Sequence, residues 1–334
     1  ANGTIDRVAH IYTADGDSPV IQVEVSEAKR IAEGITKYTF RALDCSDLPA
    51  WQAGAHLDIV VTPEYLRQYS MCGDPTDRSC YQIAVLHEED GRGGSKLMER
   101  IFTQGRRVFI SRPINHFPLV AEAAHSLLMG GGIGITPMIA MAHELHAQKR
   151  PFSLHYSGRS SAAMGFVDEI AGFAWADCVQ VHISEEGNRA DFAAIMQAQP
   201  EGTHVYTCGA EHYMKAVMEA AAQAGLPEDR LHLEYFSVPE VPDYINHAFT
   251  LRLAKSGCDI EVPADRVPTD VLAENGVHVD VKCADGLCGV CKCALIGGEV
   301  EHRDFVLSKR QRETSVILCQ SRAAHAGGVI EVDL

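Results

Sequence analysis

The chain of 334 residues lacks several features that define other classes of protein. It has no run of about 18 apolar residues, so we expect no membrane-spanning helix and no membrane partner. The opening residues, ANGTIDRVAH, lack the pattern of a secretory signal, so we expect a cytoplasmic location. Positive charge is scarce, since 29 Lys and Arg stand against 45 Asp and Glu. The net charge of −16 argues against a nucleic-acid partner.

Cysteine, in contrast, is abundant. The sequence has eleven cysteines, five of which lie in the last 52 residues, and four of those lie within eleven residues. An odd number of cysteines without a secretory signal makes a poor disulfide framework. The tight grouping favours a metal site near the end of the sequence.

The pattern along the chain predicts three domains. Residues 1–120 contain alternating strands separated by Gly, Pro and Asp, which predicts an antiparallel β-barrel. Residues 121–236 alternate short apolar strands with helical patterns, which predicts a doubly wound α/β domain. Residues 237–248 contain two prolines and no period, and we interpret them as a linker. Residues 249–334 then form a smaller α+β domain that carries the cysteine cluster.

Two features of the middle domain bear on its chemistry. Residues 121–244 contain 6 Lys and Arg against 16 Asp and Glu, so most of the negative charge is concentrated there. The sequence Thr136-Pro137 is typical of a helix N-cap followed by proline at the first helical position, so we expect a helix through His146. A second helix is expected over 211–224, closed by Gly225.

The cysteine cluster has the pattern C-x4-C-x2-C. It comprises Cys283, Cys288 and Cys291, and Cys319 follows after 27 intervening residues. This spacing is that of a plant-type [2Fe–2S] site, in which three thiolates converge from one loop and a distant fourth completes the set. A zinc site is the alternative, but zinc prefers paired C-x2–4-C knuckles, and the second pair is missing here.

The remaining cysteines have simpler interpretations. Cys293 is a fifth thiol near the cluster, and since four ligands are already present we interpret it as structural. We interpret five others as small apolar residues, namely Cys45, Cys72, Cys80, Cys178 and Cys258.

A flavin site is indicated in the first domain. The strand end Arg67-Gln68-Tyr69-Ser70 is followed about 20 residues later by the glycine-rich turn 91–95, which opens a helix. The free N–H groups of such a turn can bind phosphate, and Arg67 can add a charge-assisted contact. Tyr69 can stack on the isoalloxazine ring, and Ser70 can donate to its N5. The further candidates are Ala84, Gly93, Gly94 and Ser95.

A nicotinamide-nucleotide site is indicated in the middle domain. The glycine-rich stretch 130–134 follows a strand and opens a helix, which suits a pyrophosphate. Cys208-Gly209 ends a later strand of the same sheet and lies at the same edge. The candidate residues in these two turns are Gly132, Thr136, Cys208 and Gly209.

The adenosine ribose is expected at the end of another strand, at Ser157 and Arg159. Arg159 and its neighbouring serines could accept a 2′-phosphate, which would favour NADPH. The acidic middle domain opposes a further doubly charged group, so we favour NADH.

Taken together, these motifs resemble the phthalate dioxygenase reductase family. The order flavin, nicotinamide, plant-type cluster matches from about residue 18 onward. The strings that carry the resemblance include RQYS (67–70), GRGGS (91–95), GGGIGITPM (130–138), YTCG (206–209) and HRDFVLS (302–308). The resemblance implies a β-grasp-like ferredoxin domain, FMN rather than FAD, and Phe236 near the other face of the flavin. It also implies the four cluster cysteines as iron ligands.

The resemblance further implies an NADH-dependent reductase for a Rieske-type oxygenase in aromatic hydrocarbon catabolism. We expect hydride transfer from NADH to the flavin, with Ser70 and Cys208 as the residues nearest the chemistry, and single electrons leaving through the cluster. Three alternatives remain at this point: another acceptor such as a cytochrome P450, a cluster-based redox sensor, and a zinc-stabilised flavoreductase.

Overall fold

A computed structural model describes residues 20–62, 65–87, 93–238 and 244–334. The chain divides into two compact units, one ending at Leu233 and the other running from Glu234 to Leu334. The predicted turn residues 91–92 and part of the predicted linker, 239–243, lie outside the described residues, as do residues 1–19. The division into three domains therefore stays a prediction. The two units are described separately below.

The first unit begins with an antiparallel sheet in the order β4-β3-β6-β1-β2-β5, in which β7 also pairs with β3. Its strands are β1 (Val20–Ala32), β2 (Ile35–Ala42), β3 (Ala55–Thr62), β4 (Tyr65–Ser70), β5 (Tyr81–Leu86), β6 (Arg107–Ser111) and β7 (Ile114–Asn115). Helix α1 (Gly94–Ile101) lies between β5 and β6 in the sequence. The alternating apolar residues of these strands point into one core that includes Tyr38, Phe40 and Leu57. The expected antiparallel barrel-like sheet is confirmed.

The same unit continues with a five-stranded sheet in the order β10-β9-β8-β11-β12. Its strands are β8 (His125–Gly131), β9 (Phe152–Gly158), β10 (Val179–Ile183), β11 (Thr203–Cys208) and β12 (Leu231–Glu234). Its helices are α2 (Ile135–Ala147), α3 (Val167–Ala171), α4 (Phe192–Gln197) and α5 (Glu211–Gln223). The strand order reverses at β8, which is where ligands bind in doubly wound sheets. No helix in the described part of the chain is long and apolar enough to span a membrane.

The predicted start of α2 is wrong. Thr136 does not cap this helix, because the helix already begins at Ile135. The glycine turn continues through a short 3-10 segment, Gly132–Gly134, directly into α2, and Thr136 Oγ1 donates to the Ile133 carbonyl at 3.0 Å. Helix α5 matches its prediction to within one residue, and Gly225 follows it with φ of +78°.

Two parts of the first unit are joined by buried polar contacts. Lys37 on β2 donates to both carboxylate oxygens of Glu169 on α3, at 2.6 and 2.8 Å. The backbone N–H of Ala53 donates to Glu144 on α2 at 2.7 Å. These contacts hold the parallel sheet against the antiparallel one, so the turns that carry the flavin and nucleotide motifs belong to one packed body.

The second unit is a mixed sheet in the order β14-β13-β19-β15-β17 with a two-stranded ribbon, β16-β18. The strands are β13 (Phe249–Leu253), β14 (Cys258–Val262), β15 (Lys292–Gly297), β16 (Val300–Glu301), β17 (Ser315–Ile317), β18 (Arg322–Ala323) and β19 (Val329–Val332). Two helices, α6 (Pro268–Glu274) and α7 (Lys309–Arg312), complete it. Strand β19 pairs parallel with β13 and antiparallel with β15. The expected α+β class is confirmed for this unit.

Candidate functional site

The two halves of the predicted flavin motif meet in the structure. Arg67 lies on β4, and its guanidinium packs against Gly94 at the start of α1. A Cβ built on Gly94 would lie 2.5 Å from Arg67 Nε, so only glycine leaves room for the guanidinium. Gly93 precedes the helix with φ of +81°, a conformation that favours glycine. A cationic side chain therefore lies beside the free N–H groups of a helix N-terminus, which is the donor set that a phosphate requires.

His87 anchors this helix start to the sheet, and sequence reasoning missed it. Its Nδ1 lies 2.9 Å from the carbonyl oxygen of Ser95, and its Nε2 lies 2.9 Å from Thr36 Oγ1. Because a carbonyl oxygen can only accept, Nδ1 donates to Ser95. The imidazole thereby fixes the first turn of α1 to β2 without using the Ser95 side chain.

The other predicted flavin residues lie on neighbouring strands. Ser70 is buried at the end of β4 and pairs across the ladder with His56, whereas Tyr69 is partly buried. Ala84 is buried on β5 opposite Lys37. Phe236 belongs to the second unit and is 44% exposed. Their contacts with a flavin stay predictions.

The predicted nucleotide residues gather at one edge of the parallel sheet. Cys208 pairs with Gly130, and Ser157 pairs with Gly131, so the carboxyl ends of β8, β9 and β11 are level. This edge is where doubly wound sheets bind their ligands. The register thus brings together three turns that lie far apart in the sequence.

Gly134 makes the closest approach between two of these turns. A Cβ built on Gly134 would lie 2.2 Å from the carbonyl oxygen of Cys208, which leaves no space for any side chain. Gly132, in contrast, has φ of +54° and no protein atom within 4 Å of its missing Cβ. Gly134 is therefore required for packing between the two turns, whereas Gly132 faces open space.

Three predicted nucleotide residues are buried in this structure to different degrees. Thr136 and Cys208 are almost fully buried, and the Thr136 hydroxyl already donates to the backbone. The Ser157 hydroxyl oxygen is also buried, and it interacts with the side chain of Tyr213 on α5.

Arg159, expected at the ribose, is paired with a carboxylate. Its Nε donates to Glu185 Oε1 at 2.7 Å, and its carbonyl oxygen accepts from the Glu185 N–H at 3.0 Å. Glu185 follows β10, the strand next to β9, and Glu186 adds a second negative charge. Any 2′-phosphate here would compete with Glu185 for Arg159.

The four cysteines predicted as cluster ligands converge in the second unit. Cys283 lies close enough to interact with both Cys288 and Cys319, and Cys319 also interacts with Cys291. Bonding to Cys288 holds the pKa of Cys283 well below the usual thiol value, whereas bonding to Cys283 raises the pKa of Cys319. The thiols thus form two linked pairs, Cys283 with Cys288 and Cys291 with Cys319.

The backbone around these thiols wraps closely, as the spacing predicts. Gly286 and Gly289 have φ of +74° and +70°, and the Asp285 N–H donates to Cys283 Sγ at 3.3 Å. Gly286 packs on the segment 303–304, and its carbonyl accepts from the Phe305 N–H at 3.1 Å. N–H groups directed at thiolates stabilise their negative charge, which suits cysteines that bind iron.

This donor set fits a [2Fe–2S] cluster better than a single zinc ion. Two linked thiol pairs suit two iron atoms, each held by one pair. Cys293 is buried beside them, but its Sγ faces the Asp333 carbonyl oxygen at 3.9 Å.

The interpretation of the other cysteines as small apolar residues is wrong for two of them. Cys45 and Cys258 are exposed, while Cys72 is buried. Cys45 has φ of +60°, so it lies in a turn after β2, and Cys258 begins the edge strand β14. Neither position offers a core into which a small apolar side chain could pack.

Two segments of the chain match known families. Residues 108–231 match the N-terminal domain of the dimethylamine monooxygenase subunit DmmA-like family. Residues 251–324 match the 2Fe-2S iron-sulfur cluster binding domain family, which covers all four converging cysteines. The second match confirms the iron–sulfur character of the second unit.

Relatives match over nearly the whole length. The chain is 34% identical over 324 residues to the phthalate dioxygenase reductase of Burkholderia cepacia, covering 96% of this chain and 100% of that protein. It is 38% identical over 314 residues to the reductase subunit of a tert-butanol monooxygenase / tert-amyl alcohol desaturase of Aquincola tertiaricarbonis, covering 90% and 92%. The chain belongs to the phthalate dioxygenase reductase family. The family predicted from the motifs is therefore confirmed.

Solved structures agree with this membership. A phthalate dioxygenase reductase, described as a modular structure for electron transfer from pyridine nucleotides to [2Fe-2S], matches with a TM-score of 0.68 and 34% identity over 96% of this chain and all of that one. An intact type IV self-sufficient cytochrome P450 monooxygenase matches with a TM-score of 0.85 and 35% identity. The match covers 96% of this chain but 42% of the P450 chain, so the similarity is to a part of that longer protein.

Membership in the phthalate dioxygenase reductase family fixes the general activity. The chain is an oxidoreductase, the electron-transfer reductase component of an oxygenase system. The predicted cofactors FMN, NADH and a [2Fe–2S] cluster are confirmed at the level of the family.

Proposed function

We propose that the chain carries electrons from NADH through FMN and a [2Fe–2S] cluster to a Rieske-type oxygenase. The observation that carries the proposal is that the residues of each of the three motifs lie together in the structure. Each group has the chemistry that its cofactor requires. These are the Arg67–Gly94 contact, the glycine turns at the sheet edge, and the paired thiols. NADH supplies two electrons at once and an iron–sulfur cluster takes one, so a flavin between them is needed. Because NADH is the electron source, the proposal includes the cytoplasmic location.

In the flavin site, we assign the phosphate to the start of α1. Arg67 and the N–H groups of Gly93, Gly94 and Ser95 would hold it, with His87 fixing the turn. Tyr69 would stack on the ring, Ser70 would donate to N5, and Ala84 would line the site from β5. Bound FMN supplies the conversion between two-electron and one-electron chemistry.

In the nucleotide site, we assign the pyrophosphate to the open side of the turn at Gly132. Thr136 on α2 and Gly209 after β11 would flank the nucleotide, and Cys208 would pack near the nicotinamide. These residues orient the reactive carbon and exclude water, and they have no proton to transfer because the reaction is a hydride transfer. The adenosine ribose would lie at Ser157 and Arg159.

The Arg159–Glu185 pair supports NADH over NADPH. Glu185 is already hydrogen-bonded to the Arg159 guanidinium, which the 2′-phosphate of NADPH would need. The Glu185 carboxylate can instead accept a hydrogen bond from the 2′-hydroxyl of NADH. Glu185 and Glu186 also place two negative charges where the phosphate would lie. The residues of this turn therefore favour NADH, which has a free 2′-hydroxyl, over NADPH, which has a 2′-phosphate.

In the cluster site, we assign Cys283, Cys288, Cys291 and Cys319 as the iron ligands. Their pairing and the surrounding N–H groups support this assignment, and Cys293 is left out of the ligand set. The cluster would hand single electrons to the partner from this unit.

An anaerobic titration with NADH tests the proposal. The purified protein should lose its flavin absorbance and its oxidised-cluster absorbance and gain the EPR signal of a reduced [2Fe–2S] cluster. Metal analysis should give two irons and two acid-labile sulfides for each chain. Zinc without iron, or no bleaching by NADH, would contradict the proposal.

The acceptor needs a separate experiment, because the similarity to a self-sufficient cytochrome P450 favours a second candidate. Reduced protein is mixed anaerobically with a Rieske oxygenase component and, in parallel, with a ferric P450 in the presence of carbon monoxide. We expect rapid reduction of the Rieske centre, read by its EPR signal. Rapid formation of the ferrous carbon monoxide complex without Rieske reduction would select the P450.

A further inference from the structure

Tyr213 lies beneath both glycine turns of the nucleotide edge. It occupies the first turn of α5, after Cys208-Gly209. A Cβ built on Gly131 would lie 2.8 Å from Tyr213 Cδ1, and one on Gly209 would lie 3.1 Å from the same atom. The ring therefore fills the volume that side chains at both positions would need. It forms a common floor for the turn after β8 and the turn after β11.

The hydroxyl of Tyr213 extends the same side chain to a third turn. Burial raises the pKa of Tyr213, and the nearby Ser157 hydroxyl partly offsets that rise. Both hydroxyl oxygens are buried, and they lie close enough to interact with each other. Ser157 ends the pairing of β9 with β8, at Gly131. One side chain thus reaches the ends of β8, β9 and β11.

The ring is fixed from its other side by α4. Phe192 meets Tyr213 edge to face, with centroids 5.4 Å apart and planes at 85°. Phe192 is the first residue of α4, and the preceding Asp191 caps that helix by accepting from the Ala194 N–H at 3.0 Å. Phe192 therefore holds the Tyr213 ring in place, and the ring in turn holds the glycine turns that pack on it.

We propose that Tyr213 is a positioning residue for the pyridine nucleotide, which supports the turns of the nucleotide edge and touches no reacting atom. The proposal rests on the proposed nucleotide site. The backbones of the two glycine turns already touch each other, so removing the ring takes away the support beneath both turns, and the nucleotide binds less tightly. The ring carries most of this effect, because the contacts to Gly131 and Gly209 are made by ring carbons.

The first experiment compares Tyr213→Leu with Tyr213→Phe. For the leucine variant we expect the KM for NADH and the Kd for NAD⁺, measured by titration without turnover, to rise about tenfold. For the phenylalanine variant, which keeps the ring, we expect both within about twofold of wild type. His212→Ala, at an exposed neighbouring position on α5, is the control and should change neither value. FMN content, cluster EPR and melting temperature are recorded for each variant.

A size exchange tests the contact itself. Gly131→Ala places a methyl group against the ring and should weaken NAD⁺ binding. Gly131→Ala combined with Tyr213→Leu should bind more tightly than the product of the two single effects predicts, because the leucine makes room.

Two results would overturn this inference. One is a Tyr213→Leu variant with a lower melting temperature but wild-type KM and Kd, which would make the ring structural only. The other is strict additivity in the size exchange. Both are distinct from failure of the proposed function, in which the wild-type protein itself would neither bind NAD⁺ nor oxidise NADH.

Discussion

Arg159 and Glu185 form an ion pair across the ends of two neighbouring parallel strands, with 2.7 Å between Nε and Oε1. The pair connects the turn after β9 to the turn after β10, and a backbone hydrogen bond between the same two residues reinforces it. Both side chains are exposed, so the pair contributes little to stability. The pair matters for nucleotide binding, because it places one positive and one negative charge at the edge of the sheet where the ribose is expected.

The first prediction concerns nucleotide choice. Glu185→Gln removes the carboxylate that competes for Arg159, and we expect kcat/KM for NADPH to rise about tenfold. The kcat/KM for NADH should fall, because the ribose 2′-hydroxyl of NADH loses the carboxylate as a hydrogen-bond acceptor. Steady-state kinetics with an artificial acceptor measure both. Glu201→Gln, at an exposed position before β11, should leave both values unchanged. An unaltered NADPH/NADH ratio in Glu185→Gln would show that this pair does not discriminate.

The second prediction concerns FMN. Gly94→Ala places a methyl group on the Arg67 guanidinium and displaces it, so we expect the Kd for FMN to rise about tenfold. Fluorescence titration of the flavin-free protein measures the Kd. Gly73→Ala is a matched control, since its Cβ would meet only Gln82, at an ordinary 3.5 Å. Equal FMN affinity in the two variants would refute the phosphate site at Gly94.

The third prediction separates ligand from non-ligand thiols. Cys319→Ser should lose most of the iron and acid-labile sulfide and the EPR signal of the reduced cluster, while NADH still bleaches the flavin. Cys293→Ser should keep the full cluster, because that thiol faces the Asp333 carbonyl. Analysis of iron and acid-labile sulfide, together with EPR, measures the cluster content of each variant. A cluster-free Cys293→Ser protein would mean that the ligand set has been assigned wrongly.

The fourth prediction concerns acid stability. His155 stacks on His182, and His232 stacks on His204. Burial lowers the pKa of His155 and of His232 to about 4. In the unfolded chain these residues titrate near pH 6.5, so the unfolded state binds more protons between pH 6.5 and 4. The stabilisation is complete above pH 6.5 and is lost as the pH falls towards 4.

Urea unfolding at pH 7 and pH 5 measures this effect. We expect each pair to account for a loss on the order of 1 kcal/mol in the free energy of unfolding over that interval. His155→Gln should reduce the loss, because glutamine does not titrate. His278→Gln, at an exposed position in the second unit, should not reduce it. Identical pH dependence in the wild-type protein and both variants would exclude the His155–His182 pair as a cause.

The sequence predicted the strands and the cluster loop well, because both are local patterns. On β1, the alternation of Val23 and Val25 with Gln22 and Glu24 indicates which face of the strand is buried. The cysteine spacing alone brought Cys283, Cys288 and Cys291 into one loop. The helix start at Ile135 was missed because the glycine turn passes into the helix without a side-chain cap.

Contacts that depend on register could not be predicted. Arg159 and Glu185 are 26 residues apart and meet only because β9 and β10 are neighbours. Tyr213 has the spacing of an ordinary helix core residue, and its role becomes visible only from the two glycines above it. The exposure of Cys45 and Cys258 likewise depends on where their turns and edge strand lie, which composition does not reveal.

Strand β19 has a consequence for how the protein is made. It lies between β13 and β15, so the sheet of the second unit stays split until Val329–Val332 has been synthesised. The first unit is complete about a hundred residues earlier, at Leu233. On the ribosome, the flavin can therefore be incorporated well before the cysteine loop has a finished scaffold. Insertion of iron and sulfide is then a late step in the assembly of this protein.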